Sequence, residues 1–141
     1  MQQFGKEDLK MNNILITGKT GTVGQNLDFG YGFSSKEYNL IRFDEACKLI
    51  SNTNPDAIIH CAAYVGGLNQ HLKYKRALFC DNILINLNLI EAARLNKVKR
   101  ILSFLSSCIY SDKTAQPYNE NNIHDGEPFK DYYPYGYSKR M

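Results

Sequence analysis

The sequence predicts an α/β chain built on a doubly wound parallel sheet, on three observations. Three apolar runs read as buried strands, amphipathic segments separate them, and a glycine turn follows the first run directly. The runs are apolar throughout instead of alternating, as strands covered on both faces require.

The first strand spans Asn13 to Thr17, and Gly18-Lys19-Thr20-Gly21-Thr22-Val23-Gly24 forms the turn after it. Only Gln25 to Phe33 separate the third glycine from Ser34-Ser35-Lys36, and Gly30 and Gly32 interrupt that stretch. The usual first helix is therefore expected to shrink to roughly two turns. A short second strand is expected near Gly32 to Ser35. Asp44 to Ser51 carries an Ala/Cys/Leu/Ile stripe and reads as a crossover helix. Ala57-Ile58-Ile59-His60-Cys61 is the next strand, Asn82 to Leu95 repeats Ile and Leu at helical spacing, and Arg100 to Leu105 is the last strand. Ser111 to Pro134, rich in Asn, Asp, Tyr and Pro without a period, predicts a long surface loop of the kind that usually carries function. A helix begins near Tyr135 and is cut at Met141. This order predicts right-handed crossovers with ligands at the carboxyl ends of the strands.

By length the 141 residues form one domain, and 43% hydrophobic content suffices for a packed core. Residues 1–12 read as an N-terminal extension, with Met11 a second possible start, and residues 13–141 as the domain. Lys and Arg number 17 against 14 acidic residues, a net +3 scattered over helix-like segments, which speaks against a nucleic-acid footprint. Cys47, Cys61, Cys80 and Cys108 lack C-x-x-C spacing, so neither a metal site nor a disulfide framework is expected. The first ten residues have no apolar h-region and no run reaches membrane-span length, so the expected location is cytoplasmic, without membrane partners.

Gly18, Gly21 and Gly24 give bare backbone that lets a pyrophosphate approach, and the amides beyond them face its negative charge. Gly18-Lys19-Thr20 also resembles the tail of a nucleoside-triphosphate loop. That motif needs a glycine five positions earlier, where Asn13 stands. A dinucleotide fold for NAD places Asp or Glu after the second strand; here stand Ser34, Ser35 and Lys36. Hydroxyls and a cation favour the 2'-phosphate of NADP(H), with Lys36 as an ordinary surface lysine the competing reading.

Ser106-Ser107-Cys108-Ile109-Tyr110 follows the last strand at the ligand edge of the sheet, where a hydroxyl can bond a substrate carbonyl. Tyr135 and Lys139 stand one helical turn apart and face the same way. The phenol can donate a proton as hydride arrives, with Lys139 and the nicotinamide's positive charge together expected to lower its pKa from about 10 towards working pH.

Ala62-Ala63-Tyr64-Val65-Gly66-Gly67, Ser106-Ser107-Cys108-Ile109-Tyr110, Ile123-His124-Asp125-Gly126 and Tyr135-Gly136-Tyr137-Ser138-Lys139-Arg140-Met141 carry a family resemblance. From about Asn13 to Met141 the chain resembles the N-terminal part of the GDP-L-fucose synthases, epimerase-reductases of the extended short-chain dehydrogenase/reductase family, with a Rossmann-like fold. The resemblance implies that Ser106, Tyr135 and Lys139 are the reductase triad, returning hydride from NADPH to C4 of a GDP-4-dehydro-6-deoxy-mannose. It implies that Cys108 moves protons at C3 and C5. Gly18, Thr20, Gly21, Thr22, Val23, Gly24, Ser35 and Lys36 are the candidate cofactor residues of the turn and second strand. Ala62, Ala63 and Val65 match the wall beside the cofactor, and Asn39 and Leu40 match positions near the adenine. His124 falls in the substrate-side loop. The family's second epimerase residue and its substrate domain have no counterpart in the chain, which is therefore expected to be inactive alone. A homodimer is implied for the full-length parent. A noncatalytic dinucleotide-binding module and an enzyme of another nucleotide sugar are the competing readings.

Overall fold

In the computed structural model, which describes residues 13–141, three parallel strands form the sheet. They are β1 (Ile14–Thr17), β2 (Ala57–His60) and β3 (Arg100–Ser103), adjacent in that order. The extension expected over residues 1–12 lies outside the described residues. Leu15 stands opposite Ile58 and Ile58 opposite Ile101, while Thr17 pairs with His60 and His60 with Ser103. On the other side of β1, Tyr31 makes one parallel bridge to Leu15. The Ile16 N–H donates to the Tyr31 carbonyl at 2.7 Å, and the Tyr31 N–H to that of Ile14 at 3.1 Å. The chain thus leaves β1 to one side and returns on the other, which is the double winding the sequence predicts and which opens a crevice at the strands' carboxyl ends.

Two expected elements are smaller than foreseen. In place of a two-turn first helix there is a single 3-10 turn, Gly24–Asn26, and the second strand is reduced to the Tyr31 bridge. The glycines account for both. A Cβ on Gly30 would stand 2.9 Å from the Ile14 carbonyl oxygen, and one on Gly32 2.6 Å from Lys19 Cβ, so this segment lies directly on β1 and its turn. Gly30 also holds a φ of +70°, where other residues are strained. Lys19 Nζ donates to the Leu27 carbonyl and lies 3.4 Å from that of Phe29, satisfying acceptors that a helix would have paired.

The crossover helices exceed their expected bounds. Helix α1 (Phe43–Thr53) places Asp44 and Glu45 in its first turn, where carboxylates suit the dipole, and ends on Asn54 at φ 41°. Helix α2 (Leu68–Lys73) has no forerunner in the apolar pattern. Helix α3 (Lys75–Leu95) begins seven residues before the expected Asn82, because its buried stripe of Leu78, Asn82, Ile85, Leu89 and Ala92 includes a polar residue that reads as a boundary. Helix α4 (Tyr133–Arg140) starts with Pro134 in its first turn, where the missing N–H costs nothing. The expected loop before it contains two 3-10 turns, Glu120–Asn122 and Lys130–Tyr132.

Helices α1 and α3 cover one face of the sheet. Leu15 and Ile58 pack there with Ala46, Leu49, Ile50, Ile85, Leu89, Ala92 and Ala93. On the opposite face Ile16 is closed over by the Gly30 segment, whereas Leu102 on β3 is exposed. Leu89→Ala is expected to cost about 3 kcal/mol by urea denaturation, since Leu89 is fully buried. Leu87→Ala, on the exposed side of the same helix, should change stability by less than about 0.5 kcal/mol.

Candidate active site

The crevice beside β1 is a cleft of about 560 Å³. Its walls include Gly18, Thr20, Gly21, Thr22, Val23, Ser35, Asn39, Leu40, Ala62, Ala63, Val65, Tyr135 and Lys139. The turn after β1, the end of β2 and helix α4 therefore meet around one space. Phe33, Tyr38 and Ile41 add an apolar end, with Phe33 edge-on to Tyr38 at 5.1 Å.

The glycine turn closes because Gly18 and Gly24 lack side chains. Gly18 holds a φ of +68°, and a Cβ there would lie 2.7 Å from the Ala62 nitrogen. Gly24 does not line the cleft: it is buried beneath the turn, where a Cβ would come within 2.7 Å of Lys19 Cα. Lys36 is also absent from the walls, and its side chain is exposed. The reason lies in the turn that carries it. Glu37 accepts from the Ser34 N–H at 2.8 Å and the Ser34 hydroxyl at 2.9 Å, which folds residues 34–38 so that Ser35 and Tyr38, not Lys36, meet the cleft. The bond from the Ser34 backbone, then that from its hydroxyl, holds the Glu37 carboxyl below its usual range.

Tyr135 and Lys139 are both buried, with Lys139 Nζ 6.0 Å from the Tyr135 ring centre and 3.3 Å from the Phe104 carbonyl that it bonds. Burial pushes the phenol up from its ordinary pKa, with Cys108 adding to the rise. Burial pushes the ammonium down, opposed by Cys61. The structure therefore shows the phenol raised by burial, not lowered by Lys139.

Ser106 and Cys108 sit beside α4, outside the cleft lining. Ser106 Oγ accepts from the Cys108 N–H at 3.2 Å and caps the 3-10 turn Ser107–Ile109, a bond that leaves its own hydrogen free to donate. A Cβ on Gly136 would stand 2.6 Å from the Cys108 carbonyl oxygen, so glycine is what lets α4 approach this turn. Arg140 fastens it, donating to the Ile109 carbonyl at 2.7 Å and the Gly126 carbonyl at 2.8 Å.

Several polar residues of the site escape the sequence reading. His71 is buried, edge-on to Tyr132 at 4.3 Å and to Tyr135 at 5.6 Å, and its Nδ1 has no hydrogen-bond partner among the described residues. Asn82 accepts from the Tyr64 N–H at 2.8 Å and returns a bond of 2.8 Å to the Tyr64 carbonyl. Asn88 donates at 2.9 Å to the carbonyls of Leu40 and Ile41. Their one signal is position, since Asn82 and Asn88 lie on the buried side of an otherwise apolar helix. Among the described residues no cluster of His, Cys, Asp and Glu is placed to hold a metal, and no helix is long and apolar enough to cross a membrane.

Known proteins match this architecture. A sequence model of the NAD dependent epimerase/dehydratase family matches residues 33–141. The chain belongs to that family. A probable GDP-L-fucose synthase of Drosophila melanogaster is 34% identical over 142 residues, covering 93% of this chain and 44% of its own length. A GDP-L-fucose synthase of Dictyostelium discoideum is 33% identical, covering 96% of this chain and 46% of its own. The crystal structure of a GDP-L-fucose synthetase from Naegleria fowleri bound to NADP superposes with a TM-score of 0.83 at 31% identity, over 94% of this chain and 46% of that one. The resemblance read from the motifs is therefore shown, as is the Rossmann-like fold. The chain spans about half the length of these relatives.

Burial, with Lys139 adding to it and a bond to Asn86 opposing, pushes the His60 imidazole down from 6.5 to about 4. The unfolded chain takes up a proton that the folded ring refuses, so stability is full above about pH 6.5 and falls as pH drops towards 4. The loss expected from this group is about 3 kcal/mol. Urea midpoints across that range should fall more steeply for the parent than for His60→Gln.

Proposed function

We propose that this chain supplies the dinucleotide site and the reacting side chains of an NADPH-dependent epimerase-reductase that converts GDP-4-dehydro-6-deoxy-D-mannose to GDP-L-fucose. The observation that carries the reading is that buried Tyr135 and Lys139 share a cleft with the glycine turn. The names of the relatives point to GDP-L-fucose, and the Naegleria fowleri structure to NADP; the keto sugar comes from the motif resemblance.

The residues present fit a dinucleotide. Bare backbone at Gly18 and Gly21 suits a pyrophosphate, the apolar end at Phe33, Tyr38 and Leu40 suits a purine, and Tyr135 with Lys139 stands at the other side. When bound, the dinucleotide supplies the hydride. Tyr135, whose phenol burial makes harder to ionise, gives its proton to the sugar's carbonyl oxygen as that oxygen gains charge. Ser106 donates its free hydroxyl hydrogen to the same oxygen and orients it. Lys139, anchored on the Phe104 carbonyl, places positive charge beside the developing phenolate and can bond the nicotinamide ribose. Cys108, half-buried on the turn that Arg140 clamps, takes the acidic hydrogen next to the ketone as a proton, the electrons of that C–H bond passing to the carbonyl as an enolate, and a solvent-derived proton delivered to the opposite face re-forms the bond to carbon.

The test is incubation of the full-length protein carrying this chain with NADPH and the keto sugar, following cofactor oxidation and GDP-L-fucose. Consumption of neither sinks the reading. Tyr135→Phe should lower turnover by roughly 100-fold or more. Cys108→Ala in deuterated water should abolish label at C3 and C5 while reduction of the ketone persists; retained labelling would remove Cys108 from the proton transfer.

A further inference from the structure

The register of the sheet places Thr17 opposite His60 at the carboxyl ends of β1 and β2, and both are buried. Thr17 Oγ1 lies 2.7 Å from His60 Nδ1, and His60 Nε2 lies 3.0 Å from Asn86 Oδ1 on α3. Asn86 Nδ2 donates to the Ser138 carbonyl on α4 at 3.2 Å, and at the other end the Ala62 N–H donates to Thr17 Oγ1 at 3.4 Å.

The two ends fix the direction of every proton between them. The Ser138 carbonyl can only accept, so Asn86 presents its amide hydrogen there and its oxygen to the ring. His60 must then carry its proton on Nε2, which leaves Nδ1 as an acceptor. Thr17 donates to Nδ1 and accepts from Ala62, whose N–H can only donate. A second proton on the ring would turn the Thr17 hydroxyl away. Burial and the Lys139 ammonium, the charged group that acts on the ring, both oppose that proton. The chain of bonds starts at Thr17 and Ala62, in the cleft wall, and ends one residue before Lys139. The Ser138 hydroxyl carries it on to the Tyr135 carbonyl at 2.8 Å.

We propose that His60, neutral with its proton on Nε2, is a positioning residue that joins the wall of the dinucleotide cleft to the helix bearing Tyr135 and Lys139. This deepens the reading above and rests on it for the identity of the reacting pair. Occupation of the cleft presses on Thr17 and Ala62, and the directed bonds pass that constraint to the backbone at Ser138.

Asn86→Asp tests the link with almost no change of shape. The carboxylate still accepts from His60 Nε2 but turns an oxygen on the Ser138 carbonyl, so a bond becomes a repulsion. Turnover is expected to fall roughly 10-fold or more, with the KM for NADPH within about 3-fold of the parent. Unchanged turnover, or an equal loss in cofactor affinity alone, overturns the proposal. Nitrogen-15 NMR of the unmutated protein gives a second test that needs neither catalysis nor a variant that folds. The His60 ring should show the neutral Nε2–H tautomer at pH 7, and its resonances should move on addition of NADPH. An Nδ1–H tautomer, or a ring indifferent to saturating NADPH, overturns the proposal. Absence of turnover in the unmutated protein would sink the proposed reaction, while the NMR result would still decide His60.

Discussion

Three asparagines on one helix hold the walls of the cleft in place. Asn82 takes both backbone groups of Tyr64, Asn86 reaches His60 and Ser138, and Asn88 takes the carbonyls of Leu40 and Ile41. Asn82 and Asn88 satisfy groups in segments that belong to no helix or strand, while Asn86 joins the end of β2 at His60 to the helix that carries Tyr135. Buried backbone without such partners costs about 1–3 kcal/mol per group, so these segments take the conformations that α3 dictates. Ile85, Leu89, Ala92 and Ala93 in turn fix α3 on the sheet against Leu15 and Ile58. Apolar packing places the helix, and its amides then place the site.

Near β1 the economy is different. A helix usually starts after the glycine turn and covers the sheet; here a segment with Gly30 and Gly32 lies against the strand, and Lys19 binds its carbonyls. Bare backbone replaces side-chain packing, which lets Tyr31 bridge Leu15 and preserves the reversal of strand order. The crevice depends on that reversal more than on the helix, so it forms despite so short a first crossover.

Around Tyr135 and Lys139 burial is the largest influence on both groups. Desolvation raises the phenol and lowers the Lys139 ammonium. Helix α4 combines this with a mechanical task. Gly136 admits the Cys108 turn, Arg140 clamps it, and Lys139 anchors on Phe104. One eight-residue helix therefore sets the relative positions of the phenol, the ammonium and the thiol.

The sequence by itself determined the three strands, the glycine turn and the Tyr135–Lys139 spacing, because each depends on neighbours within a few residues: continuous apolar runs, missing side chains, one helical turn. Burial of all three strands did not follow, since β3 is largely exposed. The same locality made the segment after the turn legible as short, though not that glycine contact with β1 would dissolve its helix altogether. Only the tertiary structure decided that Lys36 stays outside the cleft, since that follows from how Glu37 folds its turn. It alone brought His71 against Tyr135, and His60 into line between Thr17 and Asn86. These residues look like any histidine or asparagine in a row of letters. Their roles arise from partners 26 or 43 positions away, where the sheet register and the packing of α3 fix which groups meet.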